Sequence, residues 1–401
     1  MYSNIYEINQ KNNEKNSKVK LNIAKETYLQ KEFLGSGSFG TVFLIESILS
    51  HIYYVCKHIN LDVLTKEEEK KALSEVSVLK KCNHPNIINF KEAFITKNPM
   101  RRLHLITEYA TEGDLGKKLI RQKEKKEYFS EKQIINWLVQ VCLALKYIHK
   151  LHVIHRDIKP SNIFLTKNGI IKIGDFGISK ILIKNVKNTN TQIGTPNYMP
   201  PEVINSESYD YKVDIWSLGI TFFELMTFNV PFKGNTDIGL FANIINGKKN
   251  TSINNNNGYY YSNELINIIN KMIKKNPSER PTINEILNVP IINHYLKEFL
   301  KINKDLYKNI NLDLNESYNE TNYKRIKNKS MDGLKQYLDT IKEENENENG
   351  RKYVNSLISD EENNALDKLF KTNEFNNNNK LNITNQKQLN FANTNPIPND
   401  Y

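Results

Sequence analysis

The chain has 401 residues, of which 39% are hydrophobic and 25% are charged, a composition slightly lean for a chain that is packed throughout. Its three cysteines form no CxxC pair, which argues against both a disulfide framework and a zinc site. No apolar run approaches the roughly 18 residues that cross a bilayer, and the N-terminus lacks the pattern of a secretory signal. We therefore expect a soluble intracellular protein.

The formal net charge of +11 is unevenly distributed. Residues 301–401 carry 15 Lys and Arg against 16 Asp and Glu, so the first 300 residues carry +12. A basic surface suits nucleic acid, acidic lipid or phosphate-bearing ligands and partners, but in most proteins it is simply a solvated face. We expect no nucleic-acid partner and no membrane partner.

The sequence pattern divides the chain into three regions. Residues 1–27 are rich in Asn and Lys with little apolar periodicity, which predicts a disordered leader. Residues 28–298 begin with short β-rich runs such as TVFLIES and IYYVCKHI and continue with longer helical stretches, which predicts a small β-rich lobe and a larger helical lobe. Residues 299–401 are again Asn-rich and predict a mostly disordered tail, with two short amphipathic segments at 333–344 and 351–371.

Two further patterns refine the central region. In the stretch EKQIINWLVQVCLALKYIH, apolar residues recur on one helical face and predict a core helix. Those residues are Ile134, Leu138, Val141, Cys142 and Leu145. The Asn run at 254–257 predicts a surface loop, because a buried tract would leave side-chain amides unpaired.

A glycine-rich segment, GSGSFG at 35–40, precedes a second β-rich run rather than a helix. This order predicts a β-hairpin and not the strand-to-helix turn of a dinucleotide-binding fold. Gly35, Gly37 and Gly40 would let backbone N–H groups approach phosphates closely, with Phe39 at the tip of the loop. Alone, the segment also fits an ordinary hairpin.

A strand lysine and a helix glutamate form the next candidate pair. Lys57 ends the apolar run YYVC, so an inward-facing ammonium would need a partner. Glu75, in the predicted helix EKKALSEVSVLKK, can supply the carboxylate. Its neighbours Val76 and Leu79 indicate the buried side of that helix.

The segment HVIHRDIKPSNIFL at 152–165 carries most of the predicted chemistry. Asp157 and Asn162 lie in a loop stiffened by Pro160, so both can face one cleft. Asp157 is suited to accept a hydroxyl proton and Lys159 to stabilise a transferring phosphoryl group. Asn162 and Asp175, which follows the strand pattern IIKIG, offer the oxygens that Mg²⁺ prefers.

These motifs together resemble the signature set of the eukaryotic protein kinases, and YVCKHIN, EVSVLKKCNHPNII, EGDL and NIFLTKNGIIKIGDFGISK are most similar to the NIMA-related kinases. The resemblance covers residues 28–298 as one catalytic domain. It implies an α+β bilobal fold, with a small β-rich N-lobe that contains one regulatory helix and a larger, mainly helical C-lobe. It also implies a serine/threonine protein kinase that uses ATP and Mg²⁺, with Mn²⁺ as a substitute.

The resemblance assigns roles to individual positions. Asp157 is the catalytic base, assisted by Lys159, and Asn162 and Asp175 hold the metal. Thr107 would be the gatekeeper of a hinge that runs from 108 to 110. The residues that would contact ATP are Leu34, Gly35, Ser36, Gly37, Ser38, Phe39, Gly40, Thr41, Val42, Lys57, Glu75, Glu108 and Ala110.

Residues remote from the cleft also match the family. Glu202 resembles a glutamate that pairs with an arginine, here Arg280, and Asp214 resembles an aspartate that braces the catalytic loop. Thr191 occupies the family's phosphorylation position, where a phosphate could pair with Arg156.

The same resemblance bears on regulation and partners. Asn188 replaces a Phe that many relatives carry three residues before the phosphorylated threonine, which weakens the regulatory assignment, and Thr195 is expected to position substrate. The expected partners are protein substrates and either a protein that binds the tail or an upstream activating kinase. The protein itself is expected to be a monomer. The expected location is the cytoplasm, with the nucleus or a microtubule-organising centre as further sites.

Two other functions remain open on the sequence. The motifs IKPSN, YMPPE and DIWSLGIT also fit the kinases that activate mitogen-activated kinases. A catalytically dead kinase fold that acts as a scaffold is the second alternative, although the lysine, the base and the metal ligands are all present.

Overall fold

A computed structural model describes residues 20–22, 27–37, 40–96, 100–175, 196–247, 249–253 and 260–308. The disordered leader is predicted for residues 1–27, but residues 20–22 and 27 pair as strands of the N-terminal sheet, so the prediction is wrong for those residues. The rest of the leader, the predicted loop at 254–257 and the tail from 309 onward lie outside the described residues. The two amphipathic segments of the tail also lie outside them.

The N-terminal part is one antiparallel sheet with the strand order β1-β2-β3-β4-β6-β5. Gly37 pairs with Gly40 across β2 and β3, so the predicted glycine hairpin is confirmed. The strands are β1 (Lys20–Asn22), β2 (Thr27–Gly37), β3 (Gly40–Ser47), β4 (Tyr53–Asn60), β5 (Phe90–Thr96) and β6 (Arg102–Glu108).

Helix α1 (Lys66–Lys81) lies between β4 and β5 in the chain and packs against β5. It begins at a capping box, in which the Thr65 hydroxyl accepts a hydrogen bond from the Glu68 backbone and the Glu68 carboxylate accepts one from the Thr65 backbone. These bonds pair N–H groups that the first helical turn leaves without partners. Val76 and Leu79 are buried, as the sequence predicts.

The C-terminal part is mainly helical, with a two-stranded sheet of β7 (Ile163–Leu165) and β8 (Ile171–Ile173). The predicted core helix is α3, and the five residues that define its apolar face are all buried. The helices are α2 (Leu115–Lys125), α3 (Glu131–Lys150), α4 (Pro201–Ile204), α5 (Lys212–Thr227), α6 (Asp237–Ile245), α7 (Asn263–Met272), α8 (Ile283–Leu287) and α9 (Pro290–Ile302). The predicted two-lobed α+β fold is therefore confirmed.

The buried apolar residues form two clusters. The larger one surrounds α3 and α5 and extends to the inner face of the N-terminal sheet through residues such as Ile59 and Leu105. The smaller one lies on the opposite face of that sheet. Its members are Tyr28, Ile45, Cys56, Phe94 and Ile106. Among the described helices, none combines the length and the apolarity that a membrane crossing requires.

The packed body continues past residue 298, where the sequence pattern places the start of the tail. Helix α9 ends at Ile302, and Phe299 and Tyr307 are both buried in the larger core. The Tyr307 hydroxyl donates to the side-chain oxygen of Asn86, whose amide nitrogen donates to Gln140 at 3.0 Å and to the Ile171 carbonyl at 2.9 Å. A buried tyrosine within a polar stretch has no periodicity, so the sequence pattern missed it.

We predict that Tyr307→Phe lowers the free energy of unfolding by about 1–2 kcal/mol, because it removes the hydrogen-bond donor to the buried Asn86 oxygen. Chemical denaturation of the full chain measures this change. Tyr260→Phe is the matched control, since Tyr260 is exposed and the same loss of a hydroxyl should leave stability unchanged there. Equal stabilities for the two variants would contradict the role assigned to Tyr307.

Candidate active site

The loop that follows α3 is held by one buried carboxylate, that of Asp214 on α5. Its two oxygens accept hydrogen bonds from the backbone N–H groups of His155 at 2.9 Å and Arg156 at 2.8 Å. A ring nitrogen of His149 lies 2.8 Å from the same carboxylate. The predicted bracing role of Asp214 is thus confirmed, whereas no sequence pattern indicated His149.

The environment of Asp214 keeps its carboxylate ionised. Burial on its own would raise the pKa of Asp214, but the hydrogen bond and charge of His149, with smaller contributions from His155 and the Arg156 backbone, hold that pKa below its ordinary value. The charged form is also the one that accepts both loop N–H groups, so the loop geometry depends on it.

Asp157, Lys159 and Asn162 meet in this loop, as the sequence predicts. The Asn162 side-chain nitrogen donates to both the backbone oxygen and the carboxylate of Asp157, each at 2.8 Å. The Lys159 ammonium lies 2.8 Å from the same carboxylate oxygen. Asp157 is buried, and one of its carboxylate oxygens is held by both an amide and a cation.

The predicted metal ligands are brought together by the backbone that precedes Asp175. The Gly174 N–H donates to the Asn162 carbonyl at 3.0 Å, and the Gly174 carbonyl lies 3.1 Å from a ring nitrogen of His155. Because the Asn162 amide nitrogen is bound to Asp157, its side-chain oxygen points the other way. The backbone bond from Gly174 to Asn162 thus brings the chain next to Asp175 close to Asn162, and both side chains carry the oxygen atoms that a hard divalent cation prefers.

An ion pair joins the N-terminal sheet to this site. The Lys57 ammonium lies 2.7 Å from a carboxylate oxygen of Asp175, 118 residues further along the chain. The Lys57 ammonium is the main cause that holds the pKa of Asp175 below its ordinary range. The carboxylate remains 46% exposed, so it can accept a further ligand. The Glu75 backbone belongs to α1, but its side chain lies outside the described residues, and its predicted pairing with Lys57 stays a prediction.

The glycine hairpin of β2 and β3 lies beside β4, the strand that carries Lys57. Gly35 pairs with Val42, Ser36 pairs with Thr41, and Val42 in turn pairs with Lys57. This register places the backbone of Gly35 and Val42 in line with Lys57 across three neighbouring strands. Ser38 and Phe39, at the tip of the hairpin, lie outside the described residues.

The surroundings of two glycines in the hairpin differ, and so does the reason why each is a glycine. A Cβ atom on Gly40 would lie 1.6 Å from the backbone oxygen of His58 on β4, so β3 and β4 can pair closely only with glycine there. A Cβ atom on Gly35 would meet nothing within 4 Å. The packing of the protein therefore requires Gly40, while Gly35 borders open space that a ligand can fill.

The predicted hinge residues follow the last strand of the N-terminal sheet. Glu108 ends β6 and Ala110 is buried in the connection to α2. The Glu108 carboxylate accepts a hydrogen bond from the Asn89 backbone at 2.6 Å and lies 2.7 Å from the Lys172 ammonium. The Glu108 side chain thus binds both the backbone that precedes β5 and a lysine of β8. The sequence pattern did not indicate this role.

Glu202 and Arg280 form the predicted pair. The two terminal guanidinium nitrogens of Arg280 donate to the Glu202 carboxylate, at 2.6 and 2.8 Å, and Arg280 is 1% exposed. The guanidinium also donates to three backbone carbonyls and lies over the Trp216 ring at 4.9 Å. A buried guanidinium with all of these partners fixes the segment around α4 to the helical lobe.

The regulatory positions Thr191 and Thr195 lie outside the described residues. The residue predicted to receive a phosphate, Arg156, is described, and its backbone is left-handed with φ 68°. Its buried Nε has no hydrogen-bond partner among the described residues.

We predict that Glu202→Gln lowers the free energy of unfolding by about 3 kcal/mol or more, because it leaves the buried Arg280 charge without a counter-charge. Glu279→Gln is the matched control, since Glu279 forms an exposed pair with Lys274 at 3.8 Å, and such pairs contribute about 0–1 kcal/mol. Both are measured by chemical denaturation. Similar losses for the two variants would show that the Glu202 charge is not needed.

Comparison with known proteins gives a consistent result. The protein kinase domain family model matches residues 28–292. The chain is 38% identical over 275 residues to the serine/threonine-protein kinase Nek1 of Mus musculus, which covers 69% of this chain and 22% of that protein. It is 35% identical over 277 residues to Nek4 of Mus musculus, covering 69% and 34%, and 38% identical over 276 residues to Nek5 of Homo sapiens, covering 67% and 36%. The chain thus matches about a fifth to a third of the length of these relatives.

Proposed function

The chain belongs to the protein kinase domain family, and on that premise we propose that it transfers the γ-phosphate of ATP to serine and threonine hydroxyls of protein substrates, as a kinase of the NIMA-related type. The observation that carries this proposal is the convergence of Lys57, Asp175, Asp157 and Asn162 on one cleft. The relatives reported above are all serine/threonine-protein kinases, which supports the choice of serine and threonine as acceptors.

Each residue of the cleft has a separate role in the proposed reaction. The backbone next to Gly35 provides room and N–H groups for phosphates. Lys57 provides a positive charge beside Asp175. Asp157, oriented by Asn162, is placed to accept the proton of an acceptor hydroxyl, and Lys159 to neutralise charge on the transferring group. Little covalent chemistry falls to the protein, so catalysis rests on positioning and electrostatics.

We also propose that the divalent cation is Mg²⁺, with Mn²⁺ as a substitute, held by Asn162 and Asp175. Both side chains offer hard oxygen ligands, and the Asp175 carboxylate is accessible to a ligand in spite of its pairing with Lys57. When bound with ATP, the cation would neutralise charge on the β- and γ-phosphates.

The alternatives have less support. A catalytically dead scaffold would have no need to keep Lys57, Asp157 and Asp175 together, yet all three lie in one bonded network. A kinase of the group that activates mitogen-activated kinases is less favoured, because the relatives reported above are of the Nek type.

We predict that Asp157→Asn and Lys57→Met each lower phosphate transfer by about 100-fold or more, equivalent to about 2.7 kcal/mol in the barrier. Transfer to casein by the purified full chain, with ATP and Mg²⁺, measures this. Asp305→Asn and Lys304→Met make the same chemical changes at exposed positions and should be active. Activity of Asp157→Asn equal to that of Asp305→Asn would overturn the proposed function.

We further propose that phosphorylation of Thr191 by an upstream kinase, or by a second copy of this one, raises activity. The Nε of Arg156, next to Asp157 in the chain, has no hydrogen-bond partner in the described part of the protein, which supports a phosphate-binding role there.

We predict that Thr191→Ala lowers activity at least about tenfold, or about 1.4 kcal/mol, in material that was phosphorylated before the assay. Thr189→Ala is the matched control two positions away and should remain active. If Thr191→Ala is as active as the wild type, or Thr189→Ala loses as much, the regulatory role is excluded.

A further inference from the structure

Three metal-ligating side chains lie together on the face of the N-terminal sheet that is turned away from Lys57. Cys56 Sγ and one ring nitrogen from each of His58 and His104 all lie within 4.8 Å of one another. Cys56 and His58 are two residues apart on β4 and therefore share a face, and His104 on β6 is the direct cross-strand partner of His58. Strand pairing thus assembles three ligands from two segments of chain.

These side chains are buried and incompletely bonded. Cys56 is 0%, His58 7% and His104 3% exposed. The Nε2 atom of His58 and the Nδ1 atom of His104 have no hydrogen-bond partner among the described residues. A buried polar nitrogen without a partner costs about 1–3 kcal/mol, so two of them next to a thiol require an explanation.

The hydrogen bond on the far side of His104 suits a ligand role. His104 Nε2 lies 3.0 Å from the Thr96 hydroxyl. When Nε2–H donates to this hydroxyl, Nδ1 retains its lone pair, as in the outer-shell bonds that orient metal-bound histidines. The His104 ring is also stacked on Phe94, with centroids 4.5 Å apart, which fixes the plane of the ring.

We propose that Cys56, His58 and His104 form a binding site for Zn²⁺ on the back of the strand that carries Lys57. A thiolate and two imidazoles are typical zinc ligands, with a fourth position open to water. Bond lengths of about 2.0–2.3 Å place tetrahedral ligands about 3.5 Å apart, so the three side chains would move together by roughly 1 Å. The absence of a CxxC pair argued against zinc from the sequence alone, but it does not cover ligands that strand pairing brings together.

Without metal, the two histidines have the protonation state that zinc binding requires, whereas the cysteine must first lose a proton. Burial, with a smaller effect of Arg102, lowers the pKa of His58 to about 4, and burial, His58 and Arg102 lower that of His104 to about 3, so both rings are neutral at pH 7. Burial raises the pKa of Cys56 to about 12, with a smaller effect of Glu92, so zinc must displace the thiol proton and binding strengthens as pH rises. The Arg102 charge opposes a cation, and the Glu92 carboxylate favours it.

Zinc at this site would link the side chains of β4 and β6 at the smaller apolar cluster, to which Cys56 belongs. Because side chains alternate along a strand, Lys57 points to the opposite face from its two neighbours. Zinc bound here would therefore stabilise the strand that positions Lys57 without touching ATP. This inference is independent of the proposed function, and its test needs no enzyme activity.

The test uses the full chain without an affinity tag, stripped of metal by a chelator and held in excess Mg²⁺ to occupy the carboxylates of the cleft. We expect one Zn²⁺ per chain after dialysis. We also expect Co²⁺ to give a thiolate-to-cobalt charge-transfer band and intense tetrahedral d–d bands. Weak octahedral bands without the charge-transfer band, or no retained metal, would overturn the proposal.

Variants then locate the site. Cys56→Val should abolish the cobalt bands, and His104→Phe, which can keep the stack on Phe94, should weaken zinc binding roughly tenfold or more. Cys142→Ala, at a buried cysteine in α3, is the matched control and should bind like the wild type. Wild-type zinc binding by Cys56→Val, or an equal loss in Cys142→Ala, would contradict the assignment.

A measurement on the wild type alone covers the case in which these variants fold poorly. In mild denaturant, Zn²⁺ should slow alkylation of Cys56 roughly tenfold or more, relative to Cys82 and Cys142 in the same sample. Added chelator should remove the difference. The same Cys56 alkylation rate with and without zinc would exclude the site.

Discussion

The buried carboxylate of Asp214 determines where the catalytic loop lies. Arg156 adopts a left-handed backbone conformation, which costs a non-glycine residue about 1–2 kcal/mol. The two charge-assisted hydrogen bonds from the loop to Asp214 are worth about 1.5–3 kcal/mol each and offset that cost. Asp214 in turn lies on α5, which is buried over almost its whole length. The position of Asp157 is thus determined by a helix that is buried over almost its whole length.

The bond between Lys57 and Asp175 has a different character. Both side chains are partly exposed, and such pairs add little to stability. Its contribution is to location, because it joins a residue of the N-terminal sheet to one that the Gly174 backbone fixes next to Asn162. Strong buried bonds hold each half of the site, and a weak accessible one connects the halves.

Much of the fold and of the site could be predicted from the sequence, because the relevant signals are local. The apolar face of α3, the glycine hairpin and the spacing of Asp157 and Asn162 can all be recognised in short windows. What escaped prediction depends on pairing between distant segments. The ring of His104 meets His58 only because β6 lies between β4 and β5, so that β4 pairs with β6 and not with β5, the strand that follows it in the chain. Likewise, no local pattern shows that His149 would reach Asp214.

The contact between Tyr307 and Asn86 spans 221 residues and has a consequence for how the protein is made. Chains are synthesised from the N-terminus, and their domains generally fold as units. Asn86 is among the earlier residues of the described body to leave the ribosome, yet the hydroxyl that completes its hydrogen bonding follows 221 residues later. The body can therefore reach its final stability only after residue 307 has been translated. A nascent chain stalled before that point would hold a buried amide oxygen without its tyrosine donor, open to capture by chaperones.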